Sequence, residues 1–270
     1  MYSSWAMPRP KLADAGLADF KGNNFTVSPQ AGFEMNGFGK RWYYALGVVN
    51  GNPEWSSTAS PDSDISFVGM GQGSDRKDLY LNLAYKLGGV PFDRSGEASE
   101  DSLTTGAEFW RDDHWSFSLF AYDGRASIET EDLEGTVWEG WDDFRRLGVG
   151  VQKQHKDVSF SAMYMTGTDD NPYGNLSPQS VDSNAWHLEV LGFAYPWLLP
   201  YARFESLEVD VPQDVVGLEP EQDMQRIITG VKFLIRPNVS FTAEGAFYTE
   251  GAELEEGFDR TLFLLFAASF

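Results

Sequence analysis

The stretch that decides the fold is Arg260–Phe270, RTLFLLFAASF, at the carboxyl end of the sequence. Taken in twos from the last residue, Phe270, Ala268, Phe266, Leu264 and Leu262 form a wholly apolar row. Ser269, Ala267, Leu265, Phe263 and Thr261 form a more mixed one. A period of two belongs to a β-strand, whose side chains alternate between faces. One face of this strand can live in lipid.

Bulk composition sets the next bound. The 270 residues can form one large all-β domain, and the hydrophobic share is only 42%. Mean hydropathy is -0.35, and no run of about 18 apolar residues occurs, so no helix of this sequence is expected to cross a membrane. Strands escape that test, because a crossing strand needs only about 9 to 11 alternating residues. Aromatic residues at 15% and 27 glycines suit aromatic girdles and closely packed strands. The absence of cysteine excludes a disulfide scaffold, a thiolate metal site and covalent c-type haem in this chain. A net charge of -21 repels phosphate, so a nucleic-acid partner is not expected.

Working back from the carboxyl end, the period of two recurs along the chain. Residues 1–23 read as an irregular segment broken by Pro8 and Pro10, without a signal peptide, and are expected to continue from earlier strands. Residues 24–270 read as the barrel strands. Trp42, Tyr44, Leu46 and Val48 make one apolar row. Leu79, Leu81, Leu83, Tyr85 and Leu87 make the cleanest, and Trp115, Phe117, Leu119 and Ala121 the next. Further strands are expected near 144–154, 158–166, 185–195, 199–207, 226–235, 239–249 and 261–270, about eleven in all. Their connections alternate: short at 37–40, 155–157, 196–198 and 236–238, and long and polar at 124–141, 167–184, 208–225 and 250–260. Residues 88–113 are read as a connection.

Two more features favour a membrane. Aromatics gather at strand ends, with Trp42, Trp115, Tyr195, Trp197 and Phe270 near the short turns and Tyr122, Tyr164, Trp186 and Phe247 toward the long loops. From Trp186 to Tyr195 a tilted strand would rise roughly 23 Å, close to the apolar band of an outer-membrane barrel. The opposite row is polar. Glu34, Lys86, Arg146, His187, Glu189, Arg203, Glu205, Arg226, Lys232 and Glu244 are expected to line a water-filled lumen, and Leu81, Leu83, Val190, Phe241, Leu264 and Phe266 to face lipid.

The fold class expected is therefore all-β, an antiparallel transmembrane β-barrel with short periplasmic turns and long acidic external loops. The segments GFEMNGFGKRWYYALGVVNGN, KDLYLNLAYKLGG, DDFRRLGVGVQKQHKDVSFSAMYMTGTDDNP, YPWLLPYARFE and MQRIITGVKFLIRPNVSFTAEG resemble strands of bacterial outer-membrane porins. The resemblance is to the broad superfamily that includes the phosphate-selective type. It implies a place in the bacterial outer membrane among lipid and lipopolysaccharide, a porin role in ion and solute transport, and a terminal Phe270 read as assembly signal by the barrel-assembly machinery. The chain departs from the basic lumen of the phosphate-selective type at Glu34, Glu189, Glu205 and Glu244.

Chemistry is sparse. The sequence holds no G-x-S-x-G elbow, no P-loop and no H-E-x-x-H, and its histidines are His114, His155 and His187. An enzyme is not expected, nor a cofactor or metal. The carboxylates of the long connections, such as Glu129, Glu131, Asp169, Asp170, Asp210, Asp214, Glu253 and Glu255, read as solvated loop surface or as a collar that attracts cations. The function expected is passive diffusion of small hydrophilic solutes or ions. A sheath around a multihaem cytochrome partner is the alternative, and a homo-oligomer is possible on this reading.

Overall fold

A computed structural model describes residues 32–49, 76–92, 113–131, 137–171, 180–210, 224–236, 239–250 and 260–268. The expectations for residues 1–23, for Phe270 and for most loop carboxylates lie outside these. The described chain is one antiparallel sheet of eleven strands, each paired with its sequence neighbour. In order they are β1 (Gly32–Phe38), β2 (Trp42–Val49), β3 (Asp78–Gly88), β4 (His114–Glu131), β5 (Val137–His155), β6 (Val158–Asp169), β7 (Val181–Gly192), β8 (Leu198–Val209), β9 (Met224–Arg236), β10 (Val239–Glu250) and β11 (Arg260–Ala268). Among the described residues no ladder joins β1 to β11, and no element is a helix.

The registers carry each face from strand to strand, because directly paired residues point the same way. Lys86 pairs with Ser116, Ser116 with Gln152, Gln152 with Ser161, Ser161 with Glu189, and Glu189 with Arg203. The ten residues expected at the lumen share this face, here named the inner one, and the six expected at lipid share the other, the outer one. Burial then separates the faces in the sense opposite to a soluble protein. On the outer face Val149, Phe160 and Leu264 are 50%, 51% and 65% exposed, while on the inner face Arg203, Glu205 and Arg226 are 3%, 1% and 1% exposed. In water each exposed branched aliphatic side chain forgoes roughly 1.5 to 3 kcal/mol of burial. In hydrocarbon that cost vanishes, and the apolar face becomes the solvated one.

Close packing on the inner face depends on glycine. The Tyr80 ring lies where a side chain on Gly47 would stand, and the Tyr201 ring lies over Gly230. A Cβ at Gly230 would come within 2.6 Å of that ring and 2.9 Å of the Ala243 carbonyl oxygen. Aromatic contacts gather near the ends of the outer face, as in Trp42–Tyr85 at 4.3 Å and Tyr195–Trp197 at 5.4 Å toward the short turns, and Tyr164–Trp186 at 4.5 Å toward the loops.

Several strand boundaries differ from those expected. The long polar connection at 124–141 is largely strand: β4 runs on to Glu131 and β5 begins at Val137, with pairing from Glu131↔Val137 down to His114↔Gln154. Polar residues there pair above the membrane, where both faces meet water and alternation carries no signal. Tyr195 lies beyond the end of β7 in the turn, joined to Leu198 by an isolated bridge, so the span from Trp186 to Tyr195 is not one strand. Asp169 closes β6, buried on the inner face, where a loop residue was expected.

Lysine at Val190 or Leu264, in the middle of the outer face, is expected to cost about 2–4 kcal/mol in urea unfolding from lipid vesicles. Lysine at Ser161 on the inner face of β6 should cost far less. Equal losses would mean that the assignment of inner and outer faces is wrong.

Candidate functional site

The inner face concentrates its charge in two places. On β7 to β10, Glu205 lies between two guanidinium groups. Arg226 Nε and Nη2 donate to Glu205 Oε2 at 2.8 and 2.7 Å, and Arg203 Nε lies 2.6 Å from Glu205 Oε1. Arg203 also reaches outward along the face, to Glu189 Oε2 at 3.4 Å and Glu244 Oε1 at 3.7 Å. His187 Nδ1 stands 3.8 Å from Glu205 Oε1, and the Tyr201 hydroxyl donates to Glu244. Pairing across the ladders makes this possible, since His187 opposes Glu205, Glu205 opposes Arg226, and Glu244 opposes Gly230, which opposes Tyr201.

Burial divides this cluster into two tiers. The side chains of Arg203, Glu205 and Arg226 are at most 2% exposed, whereas Glu189 and Glu244 are 22% and 15% exposed. Groups as dry as the first three must be paired, because an isolated ion loses its hydration without return. They brace the wall. Glu189 and Glu244 form the more exposed tier, and Lys232, further along β9 on the same face, is exposed.

The second cluster lies toward the loop end of β3 to β6. Arg146 Nη2 donates to Asp169 Oδ1 at 2.8 Å, and its guanidinium group stacks 5.3 Å from the Phe144 ring centre. The backbone amide of Asn171 donates to Asp142 Oδ1 at 2.8 Å. Asp78 accepts from the Tyr122 hydroxyl at 2.6 Å and from the Arg125 amide at 3.1 Å. Glu34, on β1, is exposed and accepts from the Tyr80 hydroxyl and from Asn36 Nδ2 at 2.6 Å. Lys86 is half-buried near the turn end of β3, away from both clusters.

The ten inner candidates are therefore not one constellation. Arg203, Glu205, Arg226, Glu189, Glu244 and His187 are brought together; Arg146, Glu34, Lys86 and Lys232 are apart. Of the outer candidates Val190 and Leu264 are exposed, Leu81, Leu83 and Phe241 are half-buried, and Phe266 belongs to that face by its pairing with Phe241. Sequence reading missed Tyr80, Tyr122 and Tyr201, which anchor carboxylates, and the buried Asp78, Asp142 and Asp169. The signal available was parity alone, since each occupies an inner position in its strand. Among the described residues no group of three or more His, Asp or Glu side chains is placed to hold a metal ion.

At the short-turn end, Asp113 accepts a hydrogen bond from Lys153 and lies 2.7 Å from His155 Nδ1. These bonds from Lys153 and His155 hold the Asp113 carboxyl below its ordinary value.

No family model and no curated protein matches this sequence. Solved structures do. One is outer-membrane expressed OmpT of Vibrio cholerae, at 10% identity and a TM-score of 0.50, the match covering 87% of this chain and 66% of that one. Another is in-vitro folded OmpT, an outer membrane protein of the same organism, at 12% identity and a TM-score of 0.40, covering 88% of this chain and 94% of that one. This chain thus spans just under two thirds of the first structure's length. The chain has the fold of an outer-membrane β-barrel. That fold and its exposed apolar face place it in the bacterial outer membrane. The fold shared with the first of these structures also overturns one expectation. The chain was read as no enzyme because motifs are missing, but a likeness of fold alone leaves catalysis open, since one barrel scaffold hosts unrelated functions.

Removing the central charge of the brace should be costly. Glu205→Gln leaves Arg203 and Arg226 facing one another and is expected to destabilise the barrel by about 3–5 kcal/mol in urea unfolding, whereas the joint change Arg203→Met, Glu205→Leu, Arg226→Met recovers most of it. At the periplasmic end the sign is set by a lowered carboxyl: the stabilisation is present above the ordinary Asp value of about 3.9 and lost as pH falls through the lower folded one. Asp113→Asn should therefore shift the urea midpoint at pH 7 and leave it unchanged near pH 2.

Proposed function

We propose that this barrel is a porin, a passive channel for small hydrophilic solutes and ions. The observation that carries the reading is the inner face, where charged side chains run through successive strands and Glu189, Glu244 and Lys232 reach water beside an immobilised brace. A scaffold that only filled space would have no need to keep charges wet. On this reading the ten inner residues line the lumen and the six outer ones face lipid. The strand texts that resemble the phosphate-selective porins support a place in that superfamily. The charge of the wall favours a different solute, however.

Around Arg203 and Arg226 stand Glu189, Glu205 and Glu244, three carboxylates against two guanidinium groups. With Lys232 counted the region balances, and a surplus of one negative charge remains only in the wetter tier, Glu189 and Glu244 against Lys232. Close pairing cancels most of the field, and the remainder, with the acidic external loops, gives a mild preference for cations that salt screens.

Planar-bilayer recordings test both statements. Open-channel currents are expected, with reversal potentials in a salt gradient indicating cation preference at low mean salt that weakens at high salt. Glu189→Gln with Glu244→Gln should move the reversal potential toward anions while shifting stability little. A barrel that carries no current would refute the porin reading, and anion preference in the unaltered protein would refute the charge assignment.

A further inference from the structure

Three carboxyl groups lie dry on the inner face where β3 to β6 approach the loops, for Asp78, Asp142 and Asp169 are all fully buried. Asp78 has a donor on each oxygen, the Tyr122 hydroxyl and the Arg125 amide, and it stands near Arg76. The other two are short of donors. Asp142 accepts from the Asn171 amide through Oδ1, Asp169 accepts from Arg146 Nη2 through Oδ1, and Oδ2 of each is buried with no donor. Such an oxygen has lost its hydration without return.

The register makes these two side chains neighbours. Phe144 pairs with Asp169, and Asp142 lies two residues further along β5 on the same face, a diagonal at which side chains of adjacent strands still meet. Their carboxyl groups are within hydrogen-bonding reach of one another. Two ionised carboxylates accept only, so a bond between them needs a proton. Among the described residues the charges about the pair are few. Arg146 on β5 bonds Asp169, Tyr122 on β4 opposes Arg146, and Asp78 lies on β3. Asp170 on β6 meets Asp143 on the outer side, and the inner positions of β7 alongside, Val181 and Ser183, do not titrate. Two carboxylates against one guanidinium leave a buried negative charge. One proton makes the set neutral, whereas a divalent metal ion would leave it positive.

Both groups stand above the apolar band. Asp142 is thirteen residues up β5 from His155, and Asp169 eleven up β6 from Val158. At about 3.3 Å per residue and a tilt near 40° these are heights of roughly 33 and 28 Å, against a band about 25 Å tall. Burial, and after it the charge of Asp169, push the Asp142 carboxyl up to about 8, and burial raises Asp169 as well. Holding a proton there costs less than holding a second buried charge.

We propose that Asp142 and Asp169 share one proton, Asp142 Oδ2 donating to Asp169 Oδ2, and that this proton latches the loop ends of β5 and β6 together on the inner face. On the alkaline side the proton leaves, two carboxylates face one another, and Arg146 can answer only one of them. Linkage gives the sign. The folded pair keeps a proton that the unfolded chain, with Asp values near 3.9, has released. Its contribution is therefore full below that value and is lost as pH rises toward about 8. The latch belongs to the wall above the membrane and stands or falls apart from the porin reading.

The test uses the whole protein refolded in detergent, with folding checked by heat-modifiable mobility on gels. Asp142→Asn is the decisive variant, since its amide donates to Asp169 as the protonated carboxyl does and cannot ionise. Infrared spectra of the unaltered protein should show a protonated buried carboxyl at pH 6 that fades as pH rises through about 8 and is missing from Asp142→Asn. The chain has no cysteine, so Ser183→Cys, buried on β7 opposite Gly167, reports opening by its rate of reaction with a thiol reagent. Relative to the same reporter in Asp142→Asn, where the thiol chemistry changes equally, labelling should quicken about tenfold between pH 7 and pH 9. Should Asp142→Asn fail to fold, Asp169→Asn, which gives Asp142 a permanent donor, should remove the carboxyl signal and the pH dependence likewise. A folded protein without that signal at pH 6, a signal that survives in the variants, or a labelling ratio that does not change with pH would each overturn the proposal. So would a pH dependence that moves with sodium or calcium at constant ionic strength, which would put a metal ion between the carboxyls.

Discussion

Every backbone amide and carbonyl inside a hydrocarbon layer must find its partner within the protein, and the rest of this structure follows from that constraint. An unpaired polar group there costs several kcal/mol, with no water to share it. A sheet meets the requirement by lateral pairing, and the described strands run as one uninterrupted ladder from β1 to β11. Once the backbone is satisfied sideways, the two faces are free to differ completely. One carries leucine, valine and tryptophan outward, and the other carries arginine, glutamate and tyrosine inward.

The inward face shows how such a wall keeps charge without collapsing. Long side chains on adjacent strands lie directly opposite each other, so an arginine finds a glutamate across the ladder with little loss of conformational freedom. Glu205 between Arg203 and Arg226 is the driest instance. Tyr201 over Gly230 extends the same logic, since the glycine makes room for the ring and the ring delivers its hydroxyl to Glu244. A buried ionic brace is a weak source of stability in itself, but it is costly to break, which holds the wetter Glu189 and Glu244 at fixed positions.

The outward face is equally specific at its upper rim. Apolar side chains give way within a few residues to Arg125, Asp143, Arg145 and Asp123, all at outer positions of strands that continue beyond the membrane. The extension of β4 and β5 past the apolar band belongs with this, because it carries the charged rim on a paired ladder rather than on loops.

The sequence alone determined the all-β class, the eleven strands and the two rows into which their residues fall, because a period of two is a local property: Leu264 and Glu244 are assigned to opposite rows by their immediate neighbours. It could not place strand ends outside the membrane. Where both faces meet water the alternation vanishes, and Asp169 then reads as loop. Nor could it show partners. The meeting of Arg203 with Glu189, Glu205 and Glu244, or of Arg146 with Asp169, depends on inter-strand register, set by turns and ladders many residues away. The rim of Arg76, Arg125 and Arg145 was invisible for the same reason. Its members come from three strands or their ends, and only the folded sheet brings these arginines together with Asp123 and Asp143.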